Sequence, residues 1–531
     1  MPAAGIRGGT AARPIRPRAI IAMTTAATCP PPAGVRESGT RAALRLCTGA
    51  AVALVVLRAV VPLLFEQIFD SDQAIVGLMA KHLSEFRSFP LFFYGQNYML
   101  GVQAWMAAPF FWVGGPTIAM LRTPLLLINA AVAALLVREI SRRGVRPVLA
   151  LAAILPFAAA TPFVSLELMS ALGASVEPIL YVLCLWALRT RPAGFGALAC
   201  FGILHREFTA FALPAFAIAG WREWRGWRLA GLARAGFAFA SVWVVVAILK
   251  QSTNIYGPGG GAYVTGSLLL QAETILKRLS FAWEPYLGRV GDVLTAGIPE
   301  MFGAGPIPLG RFGINSTSSQ GWNAAVIALA AAAAVSLARP AWLAWRRETP
   351  PAAEGRFFLY LALVAVQTIL AYGLGGGLPV GAPVYYPYVL LVLLLPVAIF
   401  AWFFQRETAR GWRGTVALLI LLWAGSSMWD HLRLLREYLV TPPPSPHRVM
   451  ADYLVSNRVR YGRAIYWDAY VITFLAREQA IITPHEVVRI SSYKALVDAH
   501  AAAAVTLVRQ PCDGGVRVAA WCVIGPAGQR P

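Results

Sequence analysis

Two carboxylates, Asp70 and Asp72, stand where an apolar run ends and the stretch FDSDQAIVGLMAKHL (Phe69 to Leu83) begins. Asp70 is placed to cap a helix: its oxygen can accept a free N–H of the first turn, and Gln73, three residues on, completes a capping box. Asp72 lies inside that turn, where a second acid adds little as a cap. It either complements the helix dipole, for about 0.3 to 1 kcal/mol, or acts as a general base. A hydroxyl attacking an anomeric carbon must lose its proton as the bond forms, and an aligned carboxylate that takes it contributes roughly 10² to 10⁴ in rate. Asp70 would then tune Asp72 as well as cap the helix.

The elements that must hold such a base are those of a membrane protein. The chain has 531 residues, 58% hydrophobic and only 13% charged, with a mean hydropathy of +0.60, more apolar than a soluble core of this size requires. Apolar stretches of about 20 residues, long enough to cross a bilayer, begin near Leu44, Ala119, Pro147, Ala174, Gly194, Ala210, Leu229, Trp322, Phe357, Pro387 and Gly414, about eleven transmembrane helices in all. Short arginine-rich segments (VREISRRGVR, LRTR, WREWRGWR, RPAWLAWRR and QRETARGWR) fall in every second connection. By the positive-inside rule those loops and the amino terminus are cytoplasmic, and the region after Trp429 is external. The net charge of +21 is therefore topological and not a nucleic-acid footprint.

The expected architecture is an α-helical polytopic membrane protein with a small carboxyl-terminal external α/β domain. Residues 1–41 read as a disordered cytoplasmic tail, 42–430 as the transmembrane domain with external loops 66–119 and 250–321, and 431–531 as a periplasmic domain. In that last domain the helical run HRVMADYLVSN is followed by the strand-like runs RAIYW, QAIIT and AVTLV. From Ser71 to Phe86, Ile75, Val76, Leu78, Met79, Leu83 and Phe86 fall on one arc, opposed by Lys81, Ser84 and Glu85, which predicts a helix lying along the outer membrane surface. Loop 250–321 opens with Gly-rich STNIYGPGGGAYVTG. Cys512 and Cys522 flank VRVAAW and would close a hairpin in an oxidising compartment. The other cysteines and the histidines show no metal-ligand spacing, so no cofactor is expected and a divalent metal finds no support.

DSDQAIVGLMAKHL and the following YGQNYMLGVQAWMAAPFFWVGGPTIAMLRTPLLLINAAVAALL together resemble the GT-C membrane glycosyltransferases, especially bacterial relatives of the dolichyl-phosphate-mannose protein mannosyltransferases and the aminoarabinose transferases. The resemblance covers Phe65 to Arg228 and, beyond that, topology. It implies that Asp72 is the catalytic acid of the first external loop, with Gln73 replacing the usual Glu, a departure that weakens the case for a metal shared by adjacent carboxylates. It further implies that Gln96, Asn97 and Tyr98, in the polar aromatic loop, and Arg122, two residues before Pro124, contact substrate. Glu177, in LGASVEPIL, resembles the family's acid-Pro pair, and reads also as a helix-start acid before Pro178.

In HREF, Arg206 would hold a lipid phosphate in its guanidinium fork with His205 as accessory donor, or be neutralised by Glu207. Arg58 snorkels outward, or joins the same face. Tyr385, Tyr386 and Tyr388 stand where relatives often carry an Arg-Tyr pair; they stack on a sugar or form an interfacial aromatic belt.

The resemblance implies an inverting glycosyltransferase of a bacterial inner membrane, moving a sugar from a polyprenyl-phosphate-linked donor lipid to an extracytoplasmic acceptor, with membrane lipids around it and no nucleic acid. A polytopic transporter or lipid translocator, and an inactive scaffold of the same fold, are the rival readings. Transporters commonly carry internal repeats and midplane charges; this chain shows no repeat, an odd number of spans and acids gathered at one boundary.

Overall fold

The computed structural model describes residues 33–66, 69–96, 99–173, 175–252, 279–304, 323–346, 355–375, 378–509, 512 and 514–525. Two compact units divide the chain, Met1–Ala42 and Ala43–Pro531. In the first, the described residues 33–42 are all helical; most of the expected tail, and STNIYGPGGGAYVTG after its first residue, lie outside the described residues.

Among those residues, six helices are long and apolar enough to cross a membrane: Thr40–Leu64, Ile118–Ser141, Arg228–Lys250, Ala324–Ala344, Arg356–Gly373 and Arg410–Val440. A bent pair, Pro147–Ala158 with Pro162–Met169, turns by 78° at its break, and Glu177–Ala187, Pro192–His205, Glu207–Ala219 and Leu390–Arg406 are shorter apolar helices. Each begins within a few residues of an expected start. The bend has a local cause: Pro162 begins the second helix of the pair, and Thr161 caps it by accepting from Val164 N at 3.4 Å.

The first eight helices are α1 (Ala33–Leu64), α2 (Ser71–Ser84), α3 (Val102–Gly114), α4 (Ile118–Ser141), α5 (Pro147–Ala158), α6 (Pro162–Met169), α7 (Glu177–Ala187) and α8 (Pro192–His205). The arginine-rich connections meet at one end of the bundle. Arg143, after α4, lies 4.0 Å over the Phe357 ring and its carbonyl accepts from Gln405 at 2.9 Å. Arg356 pairs with Glu223 at 2.6 Å, and Arg339 pairs with Glu407 at 3.1 Å. Asp70 and Asp72 stand at the other end, where α1 finishes and α4 starts.

At that end stands a five-stranded sheet of order β2-β1-β3-β5-β4, made of β1 (Tyr461–Ala464), β2 (Ile481–Pro484), β3 (Val505–Val508), β4 (Val516–Val518) and β5 (Trp521–Ile524). β1 is parallel to β2 and β3, while β5 runs antiparallel to β3 and β4. Parallel neighbours need a crossover, and the helix Tyr466–Leu475 supplies it between β1 and β2. The disulfide Cys512–Cys522 closes the β4–β5 hairpin. The helix Arg410–Val440 runs without a break through residue 430, the boundary expected from the sequence, because its apolar and polar parts share one helical run.

The surface-lying α2 requires correction. It is buried on nearly all sides, Lys81 and His82 included, because the carboxyl-terminal layer covers the face expected to meet water. Gly77 makes this possible: a Cβ there would stand 2.6 Å from the Phe474 ring, so only glycine lets the two helices approach this closely.

Candidate functional site

Asp70 caps α2 as its position predicts, accepting from Gln73 N at 3.0 Å. The Gln73 side-chain amide oxygen also links α2 to its neighbours. It accepts from Arg122 Nη2 at 3.0 Å and Ala171 N at 3.3 Å, which ties α2 to α4 and to the residues after α6. Arg122 also donates to Pro62 O at 2.6 Å and is 1% exposed. It is a strut that fixes the turn between α1 and α2, shut away from any substrate in this arrangement.

The strut sets both acids on the wall of a cavity of about 630 Å³. Asp70, Asp72, Glu66 and Tyr386 line it from the helical bundle, and His447, Trp467, Arg509 and Trp521 from the carboxyl-terminal layer. Burial, then the neighbouring Asp72, push the Asp70 carboxyl up to about 6, outweighing the N–H bonds and Arg122. Tyr466 O–H donates to Asp72 Oδ1, and Arg489 Nε donates to that phenol oxygen at 3.4 Å. Among the described residues, no hydrogen bond is made by Asp72 Oδ2. Tyr386 donates to Glu300 and packs edge-on against Phe163, a buried role that an exposed aromatic belt does not describe.

Arg206 stands apart from the lining. Among the described residues its side chain donates only to Met99 Sδ, at 3.2 Å, and makes no ion pair with Glu207, so the expected mutual neutralisation is absent. It lies over Phe208 at 5.3 Å and Tyr388 at 5.7 Å. Tyr388 packs edge-on against Tyr385 at 4.7 Å, and Tyr385 lines the cavity within electrostatic reach of Arg206, Asp72 and Asp70. Beside Phe211 an open apolar groove of about 430 Å³ runs along Trp283, Tyr286 and Leu370.

Three further candidates are buried behind these groups. His205 is fully used: its Nε2–H donates to Gly173 O at 2.6 Å and its Nδ1 bonds Tyr181 O–H at 2.8 Å, so the expected accessory phosphate donor is a structural histidine. Glu177 accepts from Gln103 Nε2 and Ser175 N, each at 2.7 Å, and anchors the start of α7. Gln96 keeps a buried amide oxygen without a partner but does not line the cavity; Asn97 and Tyr98 lie outside the described residues. Arg58 does not snorkel: it is 0% exposed and donates to Asn129 Oδ1 at 2.7 Å, because that amide and the Phe157 ring offer it a place inside the bundle.

The residues that sequence reasoning missed are Tyr466, Trp467, Arg489 and Arg509. RAIYW reads as one strand, whereas β1 stops at Ala464 and Tyr466 opens a helix. The only signal was the acid two residues on, Asp468, in the first turn of that helix.

No protein-family model matches the chain, and no curated sequence does. Eight solved chains are similar, among them the following two. ArnT from Cupriavidus metallidurans bound to undecaprenyl phosphate superposes with a TM-score of 0.56 at 11% identity, over 91% of this chain and 98% of that one. The same protein in its apo state gives 0.53 at 10% identity, over 89% and 93%. The helices, the acid-bearing loop and the carboxyl-terminal layer thus make up a polytopic membrane protein with the GT-C fold seen in ArnT.

Proposed function

We propose that the chain is an inverting glycosyltransferase that takes a sugar from a polyprenyl-phosphate lipid and passes it to an acceptor at the loop end of the bundle. The observation that carries this reading is Asp72: a carboxylate on the first loop, held by one oxygen and open at the other, on the wall of a cavity wide enough for a sugar. In the step proposed, the acceptor hydroxyl oxygen bonds to the anomeric carbon, its proton passes to Asp72, and the bond from that carbon to the phosphate oxygen breaks, the electron pair leaving with the lipid phosphate. Arg206, a cation with no carboxylate partner among the described residues, would offset the charge on that leaving group. The adjoining groove would take the lipid tail, and ArnT was captured with a lipid of this class. Arginine-rich loops at the opposite end support a bacterial inner-membrane setting with the acids and the sheet on the periplasmic face.

The test is mass analysis of envelope glycans and glycolipids from cells lacking the chain, restored with the native protein or Asp72→Asn. One glycan or glycolipid is expected to lose a sugar and to regain it only with the native chain, the variant transferring at least about 10²-fold more slowly. Equal rescue by Asp72→Asn rejects the base assignment, and an unchanged glycan profile favours transport or scaffolding.

A further inference from the structure

Tyr466, Trp467 and Asp468 are consecutive, open one helix, and do three different things. Tyr466 holds the open carboxylate Asp72. Trp467 stands edge-on to Tyr466 at 5.1 Å, is 55% exposed, and lines the cavity. Asp468, 1% exposed, draws in His447 Nε2 at 2.9 Å, Arg509 Nε at 2.9 Å and Trp521 Nε1 at 2.8 Å. One buried acid thereby fixes three neighbours that also line the cavity. Arg509 bonds Asp468 through Nε and Nη2, and among the described residues Nη1 has no partner.

The fold places this tripeptide where a ligand belongs. A single residue separates the helix from the carboxyl end of β1, and β1 lies between its two parallel neighbours. The chain therefore leaves β1 toward one side and comes back on the other, the switch point at which open α/β sheets bind ligands.

Resting on the transferase reading above, we propose that Tyr466, Trp467 and Asp468 build the acceptor subsite, and that the acceptor presents a sugar ring, not a peptide, to Asp72. A bare indole is a flat, rigid apolar face that fits the C–H side of a pyranose or furanose ring. The Arg509 Nη1 N–H groups fit its hydroxyl oxygens, and His447 Nδ1, with Nε2 spent on Asp468, can accept from a hydroxyl. Extended peptides are held instead by main-chain bonds along a sheet edge. Among the described residues, neither edge strand, β2 nor β4, lines the cavity. A ring lying on Trp467 sits one residue from the phenol that grips the base, which brings a ring hydroxyl to Asp72.

The full chain in lipid nanodiscs is titrated with free mono- and disaccharides and with Ser- and Thr-containing peptides of similar mass, binding being read by saturation-transfer NMR. Undecaprenyl phosphate is titrated in parallel. At least one saccharide is expected to bind with saturation concentrated on one ring face. Trp467→Ala weakens it about tenfold, Trp467→Phe retains most of it, and Arg509→Gln weakens it several-fold, while all three variants bind the lipid phosphate as the native chain does. Saccharide binding indifferent to Trp467→Ala, peptide binding in place of saccharide binding, or no saccharide binding at all overturns the subsite. Failure of the lipid arm alone strikes the donor half of the transferase reading and leaves the subsite supported by its saccharide arms.

Discussion

Asp70 and Asp72 are two residues apart and have different work. Asp70 spends one oxygen on the helix and is pushed up to about 6 from an ordinary 3.8, chiefly by burial. Between those two values the folded chain binds more protons at Asp70 than the unfolded one, so its contribution to stability is fully present below about 4 and is lost as pH rises through about 6. Asn is as good a cap as Asp and does not ionise. Asp70→Asn should therefore gain thermal stability over the native chain as pH is raised from 5 to 7, read as Tm in nanodiscs; parallel curves would remove Asp70 as the source. Both acids were legible in the sequence, since cap position and first-turn position follow from local spacing. His205 was misread because its partners, Gly173 O and Tyr181 O–H, come from other segments. A histidine's free donors cannot be counted from its own neighbours.

At the level of elements, hydropathy located six long apolar helices and a bent pair among the described residues, the other four of the about eleven expected spans being shorter apolar helices, because twenty apolar residues in a row have one economical use in a bilayer. It misplaced α2, whose apolar arc was real but whose polar side also lost its water. Lys81 and His82 both bond Glu478, nearly 400 positions away, and no periodicity announces a contact that distant. The close approach rests on Gly77 against Phe474. Gly77→Ala should destabilise the protein by about 1 to 3 kcal/mol through overpacking, although alanine is the better helix former. The check is chemical or thermal unfolding in nanodiscs, where a gain in stability would mean that the ring swings aside freely.

For the whole molecule, one carboxylate of the carboxyl-terminal layer, Glu478, gathers three residues of the bundle side, Lys81, His82 and Arg87, beside the Tyr466–Asp72 and Gly77–Phe474 contacts. Burial would push the Glu478 carboxyl up, but His82, Arg87 and Lys81 outweigh it and hold it far below the usual carboxylate range; Tyr493 O–H adds a bond at 2.6 Å. Glu478→Gln leaves Lys81 and Arg87 with Glu85 as their carboxylate partner, a loss of roughly 1 to 3 kcal/mol, and should raise hydrogen exchange in α2 and in the helix Tyr466–Leu475 while sparing α4. Unchanged exchange in α2 would show that the sheet docks without this cluster. The same join has a consequence for biogenesis. Asp72 and the Tyr466 phenol that bonds it are 394 positions apart, so a ribosome makes the acid early and its holder near the end. While the chain is still being made, the nascent protein carries Asp72 without the phenol that holds it, and on the transferase reading proposed above the site would form only once the helix Tyr466–Leu475 has been made. On that reading, nothing half-made would draw on the donor lipid.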